Sequence, residues 1–207
     1  PHLVKKARLS RAKDINTFIG CNQACLDNVF KRKVSSCLVN PRACHESDFP
    51  AIPRPEASQS AADRGGLGGK QLAGRRIAVV GGGPAGMSAA LERARLGADV
   101  VLFESQAQLG GQFLLAQRIP GKFEFNETIR YFETQLAHLG VDVRLGTVAT
   151  TEDVAAFDEV VMATGVRPRG LNIPGSDRPE VVSYVDVLNG EVQVGARIAI
   201  VGAGGIG

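Results

Sequence analysis

The chain has 207 residues, 44% of them hydrophobic and 22% charged, which is the composition of a globular protein. A net charge of +3, with 5% aromatics and no tryptophan, sets aside nucleic acid as a partner, because neither a basic field nor a stacking platform is supplied. No run of 18 apolar residues marks a transmembrane helix and no apolar signal core opens the chain, so a cytoplasmic location and no membrane partner are expected.

In chain order, residues 1–49 are basic and hold all four cysteines, with short helical signals at 2–13 and 24–31. Cysteines clustered this closely in an apparently cytosolic chain point to metal or cluster ligation more than to disulfides. Residues 50–76 carry prolines and then a Gly/Ala/Ser-rich run, which reads as a linker. From 76 the pattern becomes strand, glycine turn and helix. A β-branched strand at 76–80 runs into Gly81-Gly82-Gly83-Pro84-Ala85-Gly86, followed by an alanine-rich helix at 87–96 and a strand at 99–104. A helix at 125–139 and strands at 141–145 and 159–163 follow. The last expected strand, 197–201, leads into Gly202-Ala203-Gly204-Gly205-Ile206-Gly207.

IAVVGGGPAG at 77–86 is echoed by IAIVGAGGIG at 198–207, so two dinucleotide-binding units are expected, the second only begun. Their unbroken apolar strands predict a parallel sheet buried on both faces. The expected class is α/β, a Rossmann-like FAD/NAD(P)-binding domain behind a small cysteine-bearing segment. The predicted division is 1–49, a linker at 50–76, an incomplete FAD domain at 77–196, and the start of an NAD(P) domain at 197–207.

The first turn carries G-x-G-x-x-G in the context that gives the pattern meaning. Gly81 permits the tight turn, Gly83 leaves room for a pyrophosphate, and Gly86 lets the helix pack on the sheet. The helix N-terminus offers N–H groups and the positive end of its dipole to the phosphates. Glu104, ending the second strand, is positioned to accept hydrogen bonds from a ribose with a free 2′-hydroxyl. Gly110-Gly111-Gln112 and Ala163-Thr164-Gly165 add small or backbone-rich spots suited to a bulky flavin. Gly202, Gly204 and Gly207 open the second nucleotide site.

In this arrangement the sequence resembles the bacterial type of 2,4-dienoyl-CoA reductase and its relatives, including trimethylamine dehydrogenase and other NADH:flavin oxidoreductases with an old-yellow-enzyme-like barrel. The resemblance covers nearly the whole chain except the linker. It is most specific at INTFIGCNQACLD, SSCLVNPRACHE, GGQFLLAQRIPGK and SYVDVLNG. It implies an NAD(P)H-dependent oxidoreductase in which FAD receives hydride and electrons pass through a [4Fe–4S] cluster to FMN. That FMN would sit in a barrel that this chain lacks and that reduces an enoyl- or dienoyl-type substrate. Carried over by position, the resemblance places Gln23 toward the flavin, Ala85 and Glu104 at the phosphate and ribose, Gln112 and Lys122 at the flavin side, and the backbone of Val148 and Ala149 at the adenine edge. A solvated surface lysine is the competing reading of Lys122.

The resemblance also implies the ligand pattern C-x2-C-x3-C-x11-C. Phe18 stands at the first position, and Cys21, Cys25 and Cys37 at the other three. Cys44 falls outside the pattern. A [4Fe–4S] cluster needs four ligands. Three thiolates leave open a [3Fe–4S] cluster, a [4Fe–4S] cluster with an outside ligand such as Cys44 or His45, structural zinc, or buried thiols without metal. No residue reads as a general acid or base, since His2, His45 and His138 share no triad spacing. Beside the enzyme reading stand a non-catalytic FAD- or ADP-binding module and a truncated inactive product, the last favoured by Phe18 and by chain ends that both look cut.

Overall fold

The computed structural model describes residues 3–49, 71–170 and 172–202. Residues 50–70 of the expected linker, and Gly204 and Gly207 of the second turn, lie outside the described residues. The chain divides into two units, residues 1–166 and 167–207.

The first unit opens with helix α1 (Leu3–Arg8), a 3-10 turn at Ala12–Asp14 and helix α2 (Leu26–Phe30). The single helical signal over 2–13 is thus two pieces, parted at Ser10, which takes a left-handed φ of 54°. Strand β1 (Arg76–Val80) leads into helix α3 (Pro84–Arg95), then strand β2 (Asp99–Phe103). Helix α3 begins three residues before the expected start, because Pro84 at its first position has φ preset for a helix and no N–H to lose. A short α4 (Phe113–Ala116) precedes α5 (Phe125–His138), strand β3 (Asp142–Arg144), a single-turn α6 (Thr151–Val154) and strand β4 (Glu159–Met162). Helix α6 was not legible from apolar periodicity. It is held by a capping box between Thr150 and Asp153, a local polar device.

All four strands are parallel, in the order β3-β2-β1-β4. Ile77 pairs with Val100 on one side and with Glu159 on the other. The chain therefore leaves β1 in one direction through β2 and β3, then returns to the opposite side with β4. This reversal opens a crevice beyond the carboxyl ends of β1 and β4, where open α/β sheets bind ligands.

The two sheet faces are covered unequally. On one, Ile77, Val79, Val100 and Leu102 pack with Met87, Ala90, Leu91 and Ala94 of α3 and with Ile129 and Leu136 of α5. The spacing 87, 90, 91, 94 puts one stripe of α3 on the sheet. On the other, Ala78, Val101 and Phe103 pack with the half-buried Ala149, Val154 and Phe157, and the Arg144 guanidinium lies over the Phe103 ring. Strands β1 and β2 are buried on both faces, as their apolar runs predict. Strand β4 is not: it alternates, and Met162 is 67% exposed. It has one partner strand among the described residues and little on its outer face, and it ends at Met162, one residue short of the expected 159–163.

In the second unit, helix α7 (Tyr184–Asn189) is capped by the Ser183 hydroxyl, which accepts from the N–H groups of Val185 and Asp186, and it ends at left-handed Gly190. No strand forms at 197–201, and Ile200 is 72% exposed. A strand persists only where a neighbour takes its N–H and C=O groups, and no described residue pairs with it.

Candidate nucleotide site

The first glycine turn is shaped by close backbone approaches, tested by asking what a Cβ would meet. At Gly81, with φ of 112°, a Cβ would lie 2.2 Å from the carbonyl oxygen of Ala163. The Ala163 N–H in turn donates to the Val80 carbonyl at 2.8 Å, so the ends of β1 and β4 are locked together. At Gly86 a Cβ would come within 1.8 Å of the Gly81 carbonyl oxygen. Helix α3 therefore packs against the strand end as the motif requires. Gly83 is different: its φ is −74°, and its nearest neighbour in the Cβ direction is the Gly111 Cα at 3.9 Å. Here the missing side chain leaves open space. Gly83 is also the N-cap of α3, and no side chain caps that end. The first-turn N–H groups, with Ala85 exposed beside them, are left without the side-chain acceptor that usually satisfies them.

Glu104 is 7% exposed and binds the turn to the loop after β2. One carboxylate oxygen, Oε2, accepts from the Gly82 N–H at 2.6 Å. The other, Oε1, accepts from the Gln106 N–H at 2.7 Å and the Ser105 hydroxyl at 3.1 Å. Oε2 keeps a lone pair for a further donor. The Thr147 N–H donates to the Glu104 carbonyl at 2.8 Å, which brings exposed Val148 and half-buried Ala149 to the same end of the sheet.

Gly82, to which the pattern gave no role, closes the turn together with Gly110 and Gly111, which were expected to face a ligand. A Cβ at Gly82 would lie 2.5 Å from Leu109 Cδ2 and 2.9 Å from Glu104 Oε2. The Gly110 N–H donates to the Gly82 carbonyl at 2.9 Å. Gly111, with φ of 52°, faces the Gly83 Cα, 2.9 Å from where a Cβ would stand. The Gly110-Gly111 pair thus serves the approach of one loop to another. The signal was present as consecutive glycines, but only the fold shows what they approach. Gln112 Nε2 donates to the Val166 carbonyl at 3.1 Å, tying the start of α4 to the loop after β4 that carries exposed Thr164 and Gly165. Lys122 is exposed and forms no ion pair among the described residues. Gly202, in the second unit, has φ of 121°, the backbone a glycine turn demands.

The structure does not bring the cysteine ligands together. Cys21, Cys25 and Cys37 are half-buried free thiols and Cys44 is exposed, and no three His, Cys, Asp or Glu side chains among the described residues are gathered to hold a metal ion. Phe18, at the first ligand position, is 67% exposed. Gln23 is exposed, with no side-chain hydrogen bond to the turn. A dinucleotide fits the first turn; a four-ligand cluster does not fit the donor set present.

The strand order, the glycine turn and the buried acid at the end of β2 together define a dinucleotide-binding domain of the flavoprotein type. The sequence profile of the family described as pyridine nucleotide-disulphide oxidoreductase matches residues 75–207, and the chain belongs to that family. It is 34% identical, over its whole length, to a metal reductase of Desulforamulus reducens, and 33% identical to a bilirubin reductase of Mediterraneibacter gnavus. The chain spans 29% and 30% of those relatives. Among solved structures, a 2-naphthoyl-CoA reductase in complex with 2-naphthoyl-CoA superposes with a TM-score of 0.78 at 35% identity, covering 94% of this chain and 28% of that one. The resemblance to flavoproteins of the 2,4-dienoyl-CoA reductase type holds. No helix among the described residues is long and apolar enough to cross a membrane.

Proposed function

We propose that this chain binds FAD at the carboxyl ends of β1 and β4 and serves an NAD(P)H-dependent reductase of enoyl- or dienoyl-type substrates. The supporting observation is the open position at Gly83, beside an uncapped helix N-terminus and next to two glycines that admit no side chain. Bound there, FAD supplies a two-electron acceptor for the hydride of NAD(P)H. The backbone N–H groups at the start of α3, including that of Ala85, hold the pyrophosphate. Glu104 Oε2 accepts from the ribose while continuing to fix Gly82, and the backbone at Val148 and Ala149 borders the adenine. Lys122, Gln112 and the segment Ala163-Thr164-Gly165 serve the flavin end. Gly202, Gly204 and Gly207 belong to the site that takes up NAD(P)H.

An FMN-bearing barrel, a domain proposed from the family and outside these 207 residues, would take up the electrons; the relatives are more than three times the length of this chain. No step runs through an iron–sulfur cluster, because Cys21, Cys25 and Cys37 are three thiols with Phe18 in place of the fourth.

The test is Gly83→Val. Its backbone suits any L-residue and the space is empty, so the fold should keep its melting temperature while flavin content falls tenfold or more, on the order expected when a phosphate loses its cradle. Unchanged flavin content would sink the site assignment. A colourless protein that retains ADP would mark a nucleotide-binding module without flavin.

A further inference from the structure

We infer that the cysteine-bearing segment is fastened to the nucleotide domain by a polar latch on α5, and that this attachment does not depend on a metal centre. The latch has two parts. Asp14 is 2% exposed. Its carboxylate accepts from Arg11 Nε at 2.5 Å and from Gln135 Nε2 of α5 at 2.8 Å, with His138 Nδ1 at 3.2 Å. One turn earlier on the helix, the Arg130 guanidinium donates to the carbonyls of Lys13 at 2.6 Å and Ile15 at 2.9 Å, and to the Thr17 hydroxyl at 3.4 Å. Glu127 completes it, with Oε2 accepting from Arg130 Nε at 2.8 Å and from the Thr17 hydroxyl at 3.2 Å.

Residues 13–17, immediately before Phe18, are therefore held through backbone carbonyls by a planar multi-donor fork that lysine cannot reproduce. Within the segment, the cysteine stretches are joined to one another by direct bonds. The Ser36 N–H donates to the Ala24 carbonyl at 3.0 Å, and Asn16 Nδ2 to the Val39 carbonyl at 2.5 Å. These contacts span the distance in sequence that a cluster ligated by Cys21, Cys25 and Cys37 would span. The donor set for that cluster is incomplete, and these contacts form without it, with Asn16 Oδ1 the one buried side-chain oxygen of the segment that has no partner among the described residues.

Hydrogen exchange of the full-length protein separates the two means of attachment. In Asp14→Ala and in Arg130→Ala, amides of residues 11–25 should exchange at least about tenfold faster, the scale of losing charge-assisted hydrogen bonds, and Cys21 and Cys25 should react faster with a thiol reagent. Amides of β1 and β2 should keep their protection. Arg130→Lys should fall between wild type and Arg130→Ala. A variant with Cys21, Cys25 and Cys37 all changed to Ser should leave exchange in 11–25 as it was. Acceleration in the triple variant equal to that in Arg130→Ala would overturn the inference, as would unchanged exchange in both latch variants. A parallel rise across β1 and β2 would also overturn it, since Asp14 would then belong to the global core.

Discussion

Glu104 fixes a turn through its carboxylate and is proposed to meet a ligand with the same group. Its carboxylate is nearly buried, yet each oxygen has a backbone N–H donor from one of the two loops that frame the crevice, and the Ser105 hydroxyl adds a third hydrogen bond. Replacing it by Ala removes three hydrogen bonds and strands the Gly82 N–H, at a cost of about 1–3 kcal/mol for a buried unsatisfied donor. Glu104→Ala is therefore expected to lower both the melting temperature and the flavin content of purified protein; flavin content equal to wild type would remove the ribose role. The glycines divide by what lies over them. Gly81 and Gly86 are constrained by carbonyl oxygens within 2.2 Å of a Cβ, whereas Gly83 faces open space, so the same residue type has a steric reason at two positions and, on the proposed function, a ligand reason at the third. The G-x-G-x-x-G spacing states all three positions, but it does not say which of them contacts the chain and which the cofactor.

At the scale of elements, β1, α3 and β2 were legible because their signals are local: unbroken β-branched strands on either side of a glycine turn and an alanine-rich helix, whose start was misplaced because Pro84 was read as part of the turn. The boundaries of α5 and β3 also fell within a residue of expectation. What could not be read is decided by neighbours. Strand β4 has an apolar sequence but an edge position, and 197–201 has an apolar sequence but no strand partner, so one alternates in burial and the other forms no strand. The contact of the 3-10 turn with α5 joins residues 121 apart, which no periodicity reveals. It carries a pH dependence. Burial raises the pKa of Asp14, but the Gln135 and Arg11 hydrogen bonds and the charges of Arg11 and His138 outweigh it and bring the carboxyl below 3.8. A folded-state pKa below the unfolded value stabilises the fold above the unfolded pKa, and that contribution is lost as pH falls through the folded value. Residues 11–17 should thus remain protected from exchange at neutral pH and loosen only in acid below about pH 4. Loosening already at neutral pH would show that the Asp14 carboxylate does not hold this contact.

For the whole molecule, the open question is what the first 49 residues do. The relatives are more than three times the length of this chain, and the reaction proposed here draws on parts outside it. Restoring the missing thiolate is the direct probe. Phe18→Cys in the full-length protein is expected to raise iron content and to add broad visible absorption beside the flavin bands, because a fourth ligand completes the set a cluster needs. No gain of iron would leave Cys21, Cys25 and Cys37 as thiols of a docking segment, which the latch on α5 holds either way.

By itself the sequence determined the α/β class, the first glycine turn with its acid at the end of the second strand, the family resemblance and the departure at Phe18. Each of these is written in residues adjacent or periodic along the chain, where spacing alone has physical meaning. Tertiary structure decided the strand order that opens the crevice beside β4, the role of Gly82, Gly110 and Gly111 in closing it, the exposure of β4, and the latch between Asp14 and α5. Those depend on which distant segments meet, and hydrogen bonds and steric exclusion between such segments leave no periodic trace in either partner.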